Sequence, residues 1–299
     1  MKEGNKDMIK IQNLSLVYPS GKGIFNVDFT IHDGEVFGYL GPNGSGKTTT
    51  IRGILGHMNV DEGIIRINDY DPRSNPIEIN QLIGYLPGEI AFFEHFTGIE
   101  FLEFIRKMRG LKNVDRRNQL LKHFELDPNG KIKKMSKGMK QKLGIVAAFM
   151  HDPEILILDE PTSGLDPLMQ NRFLELVLEE KKRGKTILIS SHIFEEVERV
   201  CDRAGIIKEG KIITVEDFNE NTKKISDIYE VKMAHPSDQI LKTKLDIVKI
   251  KEATYQISVK DNYKEFFKIL SEYDVIQLEL KKQTIEDIFM KYYGGDLDD

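Results

Sequence analysis

Apolar residues run almost without interruption through residues 36–40, 155–158 and 187–190, and again through 64–67, 82–86 and 204–207. Continuous rather than alternating runs of this length suit strands buried on both faces, as in a sheet covered by helices. The run at 36–40 passes into a glycine-rich turn and then into a helical pattern over 47–55. From residue 100 to about residue 150 the apolar period becomes three and four, as in FLEFIRKMRG and around 120–126. This predicts a helical subdomain, at about residues 89–150, set into an α/β domain.

The pattern changes near residue 220, after which glycine almost disappears. Residues 229–233 alternate as a strand, and 237–245 suit a helix opened by Pro236. Strands at 247–250 and 255–259, a helix at 263–273, a strand at 275–280 and a closing helix at 284–293 follow. The order β-α-β-β-α-β resembles a ferredoxin-like unit. The expected division is therefore a nucleotide-binding α/β domain at 1–220 and a small accessory α+β domain at 221–299, and no internal repeat appears.

Of 299 residues, 40% are apolar and 30% charged, a globular balance. The net charge of -5 lacks the basic surplus of a protein that lives on nucleic acid phosphates, so no nucleic acid partner is expected. The longest apolar stretches fall far short of the roughly 20 residues a membrane-crossing helix needs. The opening MKEGNKDMIK has no apolar core of a secretory signal, so a cytoplasmic address is expected. Cys201 is the only cysteine, which excludes an internal disulfide and a cysteine zinc cluster; it reads as a small buried apolar residue.

Residues 41–48 are Gly41, Pro42, Asn43, Gly44, Ser45, Gly46, Lys47 and Thr48, a full match to the P-loop pattern between a predicted strand and a predicted helix. Glycines let the backbone fold around phosphate oxygens and present its N–H groups. Lys47 supplies a positive charge to the β- and γ-phosphates, Thr48 a hydroxyl to Mg2+, and the helix that carries Thr49 its positive end. The strand at 155–158 ends in Asp159 and Glu160, the arrangement that holds Mg2+ opposite a P-loop. Asp159 would orient the metal, and Glu160 would be the general base for the attacking water.

With Pro161-Thr162-Ser163-Gly164-Leu165-Asp166 after these carboxylates and Ser190-Ser191-His192 after the next strand, the chain resembles the ATP-binding cassette (ABC) ATPase family over about residues 8–216. The resemblance implies ATP and Mg2+ as cofactors and a P-loop NTPase fold. It also implies that His192 contacts the γ-phosphate, that Asp166 connects the two sites of a dimer and that Tyr18 stacks on adenine. The family signature Leu-Ser-Gly-Gly-Gln appears as Met135-Ser136-Lys137-Gly138-Met139, keeping Ser136 and Gly138 for the γ-phosphate held by a second chain. Gly88, in Tyr85-Leu86-Pro87-Gly88-Glu89, stands where the family has a glutamine, and Glu89 is a candidate replacement.

Both departures, and the ending Thr284-Ile285-Glu286-Asp287-Ile288-Phe289, resemble ABC-2 type exporter cassettes of the bacitracin, antimicrobial-peptide and multidrug kind. That resemblance implies an ATPase subunit peripheral on the inner face of the cell membrane, paired with itself or a paralogous ATPase subunit. Its other partner would be an integral membrane permease, docked at an aromatic groove of Phe92, Phe93, Phe96 and Phe101. The alternative is a soluble ABC-type ATPase acting on ribosomes, where tandem cassettes are expected, or on DNA, where a long coiled coil is expected; neither feature is present.

Overall fold

The computed structural model describes residues 6–218, 227–237, 239–243, 245–259 and 262–281. Its contacts divide the chain into two units, Met1–Asp217 and Phe218–Asp299. In chain order the first unit comprises β1 (Asp7–Val17), β2 (Gly23–His32), β3 (Val36–Leu40), α1 (Lys47–Ile54), β4 (Glu62–Ile67), α2 (Pro76–Leu82), β5 (Ile83–Leu86), α3 (Gly98–Met108) and α4 (Asp115–His123). It continues with α5 (Lys137–Phe149), β6 (Ile155–Asp159), α6 (Pro167–Lys182), β7 (Thr186–Ser191), α7 (Phe194–Val200), β8 (Arg203–Lys208) and β9 (Lys211–Asp217).

Six strands form one sheet in the order β5-β6-β7-β3-β8-β9. All its pairings are parallel except that of β8 with β9. Every residue of β3, β6 and β7 is buried, as their apolar runs at 36–40, 155–158 and 187–189 require, and Asp159, Thr186, Ser190 and Ser191 are buried polar residues at the strand ends. These three adjacent strands run in one direction, so the turns after Leu40, Asp159 and Ser191 emerge side by side at one edge. Ligands of open α/β sheets bind beyond the carboxyl ends of the strands.

The strand expected at 64–67 belongs elsewhere. It is part of β4, in a three-stranded antiparallel sheet of order β2-β1-β4. Its burial alternates, with Ile65 and Ile67 buried and Ile64 48% exposed, so only one face of this sheet meets the core. That face supplies Ile9, Ile11 and Phe29 to a cluster with Phe37 of β3 and Ile51 of α1. Burial there seats the start of α1, and with it the glycine-rich turn, against both sheets. The 89–150 segment contains α3, α4, a 3-10 turn at Ile132–Lys134 and α5, and α3 opens on a reciprocal cap between Thr97 and Glu100.

The second unit contains β10 (Asp227–Met233), β11 (Asp246–Lys251), β12 (Thr254–Val259), α8 (Tyr263–Leu270) and β13 (Val275–Lys281). The strands pair antiparallel in the order β11-β12-β10-β13 around Val231, Tyr255, Ile257 and Phe266. This is a ferredoxin-like order with its first helix reduced to a 3-10 turn, Ile240–Lys242. The helix expected at 237–245 is cut to this turn, since the backbone is already extended at Thr243, ψ 171°. The helix expected at 284–293, with the exporter-like ending, lies outside the described residues.

Candidate functional site

The turn after β3 wraps a lysine. Lys47, only 5% exposed, donates from Nζ to the Gly41 carbonyl at 2.6 Å and the Pro42 carbonyl at 3.2 Å. The backbone can close this tightly because of two glycines. A Cβ on Gly41 would lie 2.5 Å from the Ile207 carbonyl oxygen, and Gly46, at φ 113°, caps α1 in a conformation that L side chains rarely adopt. Ser45 Oγ is buried with no protein partner, an orphaned donor in the floor of the turn. The cleft above it has a volume of 330 Å³ and is lined by Tyr18, Asn43, Gly44, Thr48, Thr49 and Glu160 among others. Tyr18 is half-buried at the rim, its hydroxyl 3.3 Å from Thr49 Oγ1.

Two adjacent strands deliver the carboxylates. Asp159, fully buried at the end of β6, accepts from Thr48 Oγ1 at 2.8 Å and, on its other oxygen, from the Ser190 hydroxyl of β7. Glu160, one residue on, has φ 48°, which turns its side chain toward the cleft. One carboxylate oxygen is 3.0 Å from Lys47 Nζ and the other 2.7 Å from His192 Nδ1. Lys47, Glu160 and His192 thus form one line across the ends of β3, β6 and β7, an ion pair on one side of the carboxylate and a hydrogen bond on the other.

These residues fit ATP and Mg2+. Backbone N–H groups and Lys47 supply donors for phosphate oxygens. Thr48 and Asp159 supply hard oxygen ligands for Mg2+, which takes few protein ligands and completes its shell with water and substrate phosphates. Among the described residues no cluster of three His, Cys, Asp or Glu side chains could hold a metal by itself.

Other residues singled out in the sequence lie apart from this cleft. Ser136 caps α5, accepting from the Met139 N–H at 3.2 Å, and Gly138 packs its first turn against the Gly164 carbonyl; neither lines the cleft. Asp166 caps α6 through the Met169 N–H at 3.0 Å. Glu89 is exposed. Gly88 lies close to the metal site, since a Cβ there would be 3.3 Å from Asp159 Oδ2. Cys201 is buried, and burial pushes its thiol up, away from thiolate chemistry. The four phenylalanines do not form one groove. Phe101 is buried, with Phe92 edge-on to it at 5.0 Å, whereas Phe93, 53% exposed, joins Phe96 and Phe104 in a surface cluster.

Three supporting residues escaped the sequence reading: Ser190 on Asp159, Gln141 on the turn after Glu160, and Glu196. Glu196, only 8% exposed, accepts from Thr162 Oγ1 at 3.0 Å and Ser191 Oγ at 3.2 Å, joining the turns that carry Glu160 and His192. Burial pushes its carboxyl above the ordinary range. Gln141 and Glu196 are polar residues on the inward faces of helices, and that was the available signal.

Comparison with known proteins agrees with this geometry. The ABC transporter family profile matches residues 24–163. The bacitracin transport ATP-binding protein BcrA of Bacillus licheniformis is 32% identical over 299 residues, 96% of this chain and 98% of its own. The chain belongs to the ABC transporter ATP-binding family. The linearmycin resistance ATP-binding protein LnrL of Bacillus subtilis is 39% identical, over 70% of this cassette and 68% of its own length. Among solved structures, an ATP-binding subunit of an ABC transporter is 33% identical with a TM-score of 0.66, covering 71% of this chain and 91% of its own. A bacterial ABC transporter cassette solved as a dimer is 26% identical with a TM-score of 0.64, over 71% of this chain and 99% of its own. The cassette is an ATPase that uses ATP and Mg2+ and resembles ABC-2 type exporter subunits.

Proposed function

We propose that the cassette is the ATP-hydrolysing subunit of an ABC-2 type exporter that moves a drug, peptide or amphipath through a separate integral membrane permease. BcrA, similar along nearly the whole chain, is named for bacitracin transport, and LnrL for linearmycin resistance. No helix among the described residues is long and apolar enough to cross a membrane, so the reading places the cassette peripherally on the inner face, against its permease. The surface cluster of Phe93, Phe96 and Phe104 offers an apolar contact there, while Phe101 serves the subdomain core.

The observation that carries the mechanism is the line from Lys47 through Glu160 to His192. Lys47 exchanges Glu160 for the β- and γ-phosphates as ATP enters. Glu160, released, accepts the proton of the attacking water, and His192 contacts the γ-phosphate. Thr48 and Asp159 hold Mg2+, which draws charge from the phosphate oxygens when bound. Tyr18 gives adenine a face to stack on. Ser136 and Gly138 lie outside the cleft of their own chain, so in this reading they serve the nucleotide of a second copy or paralogue, with Asp166 at the junction.

The export reading is tested with stripped membrane vesicles from the cells that encode the cassette. Wild-type protein should bind saturably and Phe93→Glu should not, with equal ATP binding in solution. Equal binding by both, or by neither, contradicts the docking assignment.

A further inference from the structure

Glu160 holds a backbone conformation that non-glycine residues rarely take, φ 48°, so its surroundings must impose it. On the amino side the restraint comes from β7, where the Glu160 N–H donates to the Ser190 carbonyl at 3.2 Å and to Ser190 Oγ at 3.0 Å. On the carboxyl side it comes from another element. Gln141, one turn into α5 and 5% exposed, donates from Nε2 to the Pro161 carbonyl at 2.8 Å, with the Glu160 carbonyl at 3.5 Å. A glutamine buried this deeply has its amide aimed at this turn.

The rest of the first turn of α5 follows the same surface. Lys137 Nζ donates to Ser163 Oγ at 3.2 Å, and a Cβ on Gly138 would lie 2.8 Å from the Gly164 carbonyl oxygen. Residues 136–141 and 160–164 therefore pack as one block. That block carries both the signature residues and the carboxylate between Lys47 and His192.

We propose that Gln141 is a positioning residue for Glu160, fixing the 160–161 backbone so that the carboxylate is aimed at the cleft. It rests on the reading of Glu160 as the base. Gln141 touches no nucleotide, so its loss lowers turnover and leaves ATP affinity alone. Because Ser136 caps α5, a displacement of the signature by the partner's nucleotide reaches Glu160 through the same amide.

The test is a double-mutant cycle on the full chain with Gln141→Met, which keeps length and burial and loses the donor, and Glu160→Gln. Gln141→Met should lower kcat by about tenfold with KM within about twofold, and should change the residual turnover of Glu160→Gln by less than about twofold. An unchanged kcat, or the same fractional loss in both backgrounds, overturns the proposal. Wild-type turnover in Glu160→Gln alone would instead remove the reading of Glu160, a separate outcome. Should Gln141→Met not fold, Gln141→Leu and Gln141→His enter the same cycle. The His variant, which keeps an N–H donor, is then expected to retain the larger kcat, and equal loss in the two counts against the proposal.

Discussion

At the scale of single residues, the site is a competition for Lys47. Its charge is shared by two P-loop carbonyls and Glu160, and phosphate oxygens must replace the carboxylate. Glu160→Gln removes the competing charge along with the base. It should bind ATP at least as tightly as wild type while turnover falls by about 10²–10³, the usual worth of a positioned base. Calorimetry with Mg-ATP beside a phosphate-release assay checks both halves, and wild-type turnover would exclude Glu160 as the base. Glu196 gives a second residue-level prediction. Its carboxyl is raised by burial, so the folded chain binds that proton more tightly than the unfolded chain. Stability from this group is therefore lost as pH rises from the ordinary glutamate value of about 4.3 toward neutrality. Glu196→Gln escapes that loss and keeps an acceptor for Thr162 and Ser191. It should melt above wild type at neutral pH. The advantage should vanish below pH of about 4; one largest in acid would reverse the sign of the argument.

At the scale of elements, the legible parts of the chain were those with an unbroken period. β3 and β6 are apolar at nearly every position, and β7 through 187–189, because both faces are covered, and the P-loop pattern fixes its own strand-turn-helix context. β1 and β2 were not read as strands. Asn13 and Asn26, at φ 49° and 48°, and a register change of β1 beside β2 break each strand into short pieces, although Val27, Phe29 and Ile31 still alternate with Asp28, Thr30 and His32. The α5 cap was legible as part of a motif, but Gln141 was not, since its partner is a backbone carbonyl 20 residues away. Gly46→Ala tests the turn itself. The new Cβ would lie 2.8 Å from Ile24 Cγ2 at a φ of 113°, so the variant should lose about 1–3 kcal/mol of stability and its ATP binding. Thermal melting and calorimetry read the two effects, and an unaltered melting temperature would show that the turn tolerates a side chain.

At the scale of the molecule, a structural unit of 217 residues carries all the chemistry described, and the described residues of the second unit add a four-stranded sheet with one α-helix. Sequence pattern foretold the second unit's strands and α8 but overstated its first helix, where the backbone turns extended at Thr243. The central proposal concerns two copies: each nucleotide meets the P-loop of one chain and the signature of the other. Complementation between Lys47→Ala, which spoils the P-loop, and Ser136→Arg, which spoils the signature, tests it most directly. Each variant alone should be nearly inactive. Mixed in equal amounts, half the dimers are hybrids with one of two sites built from intact halves, so ATPase activity should recover to about a quarter of wild type. A mixture no more active than its two components would contradict the composite site.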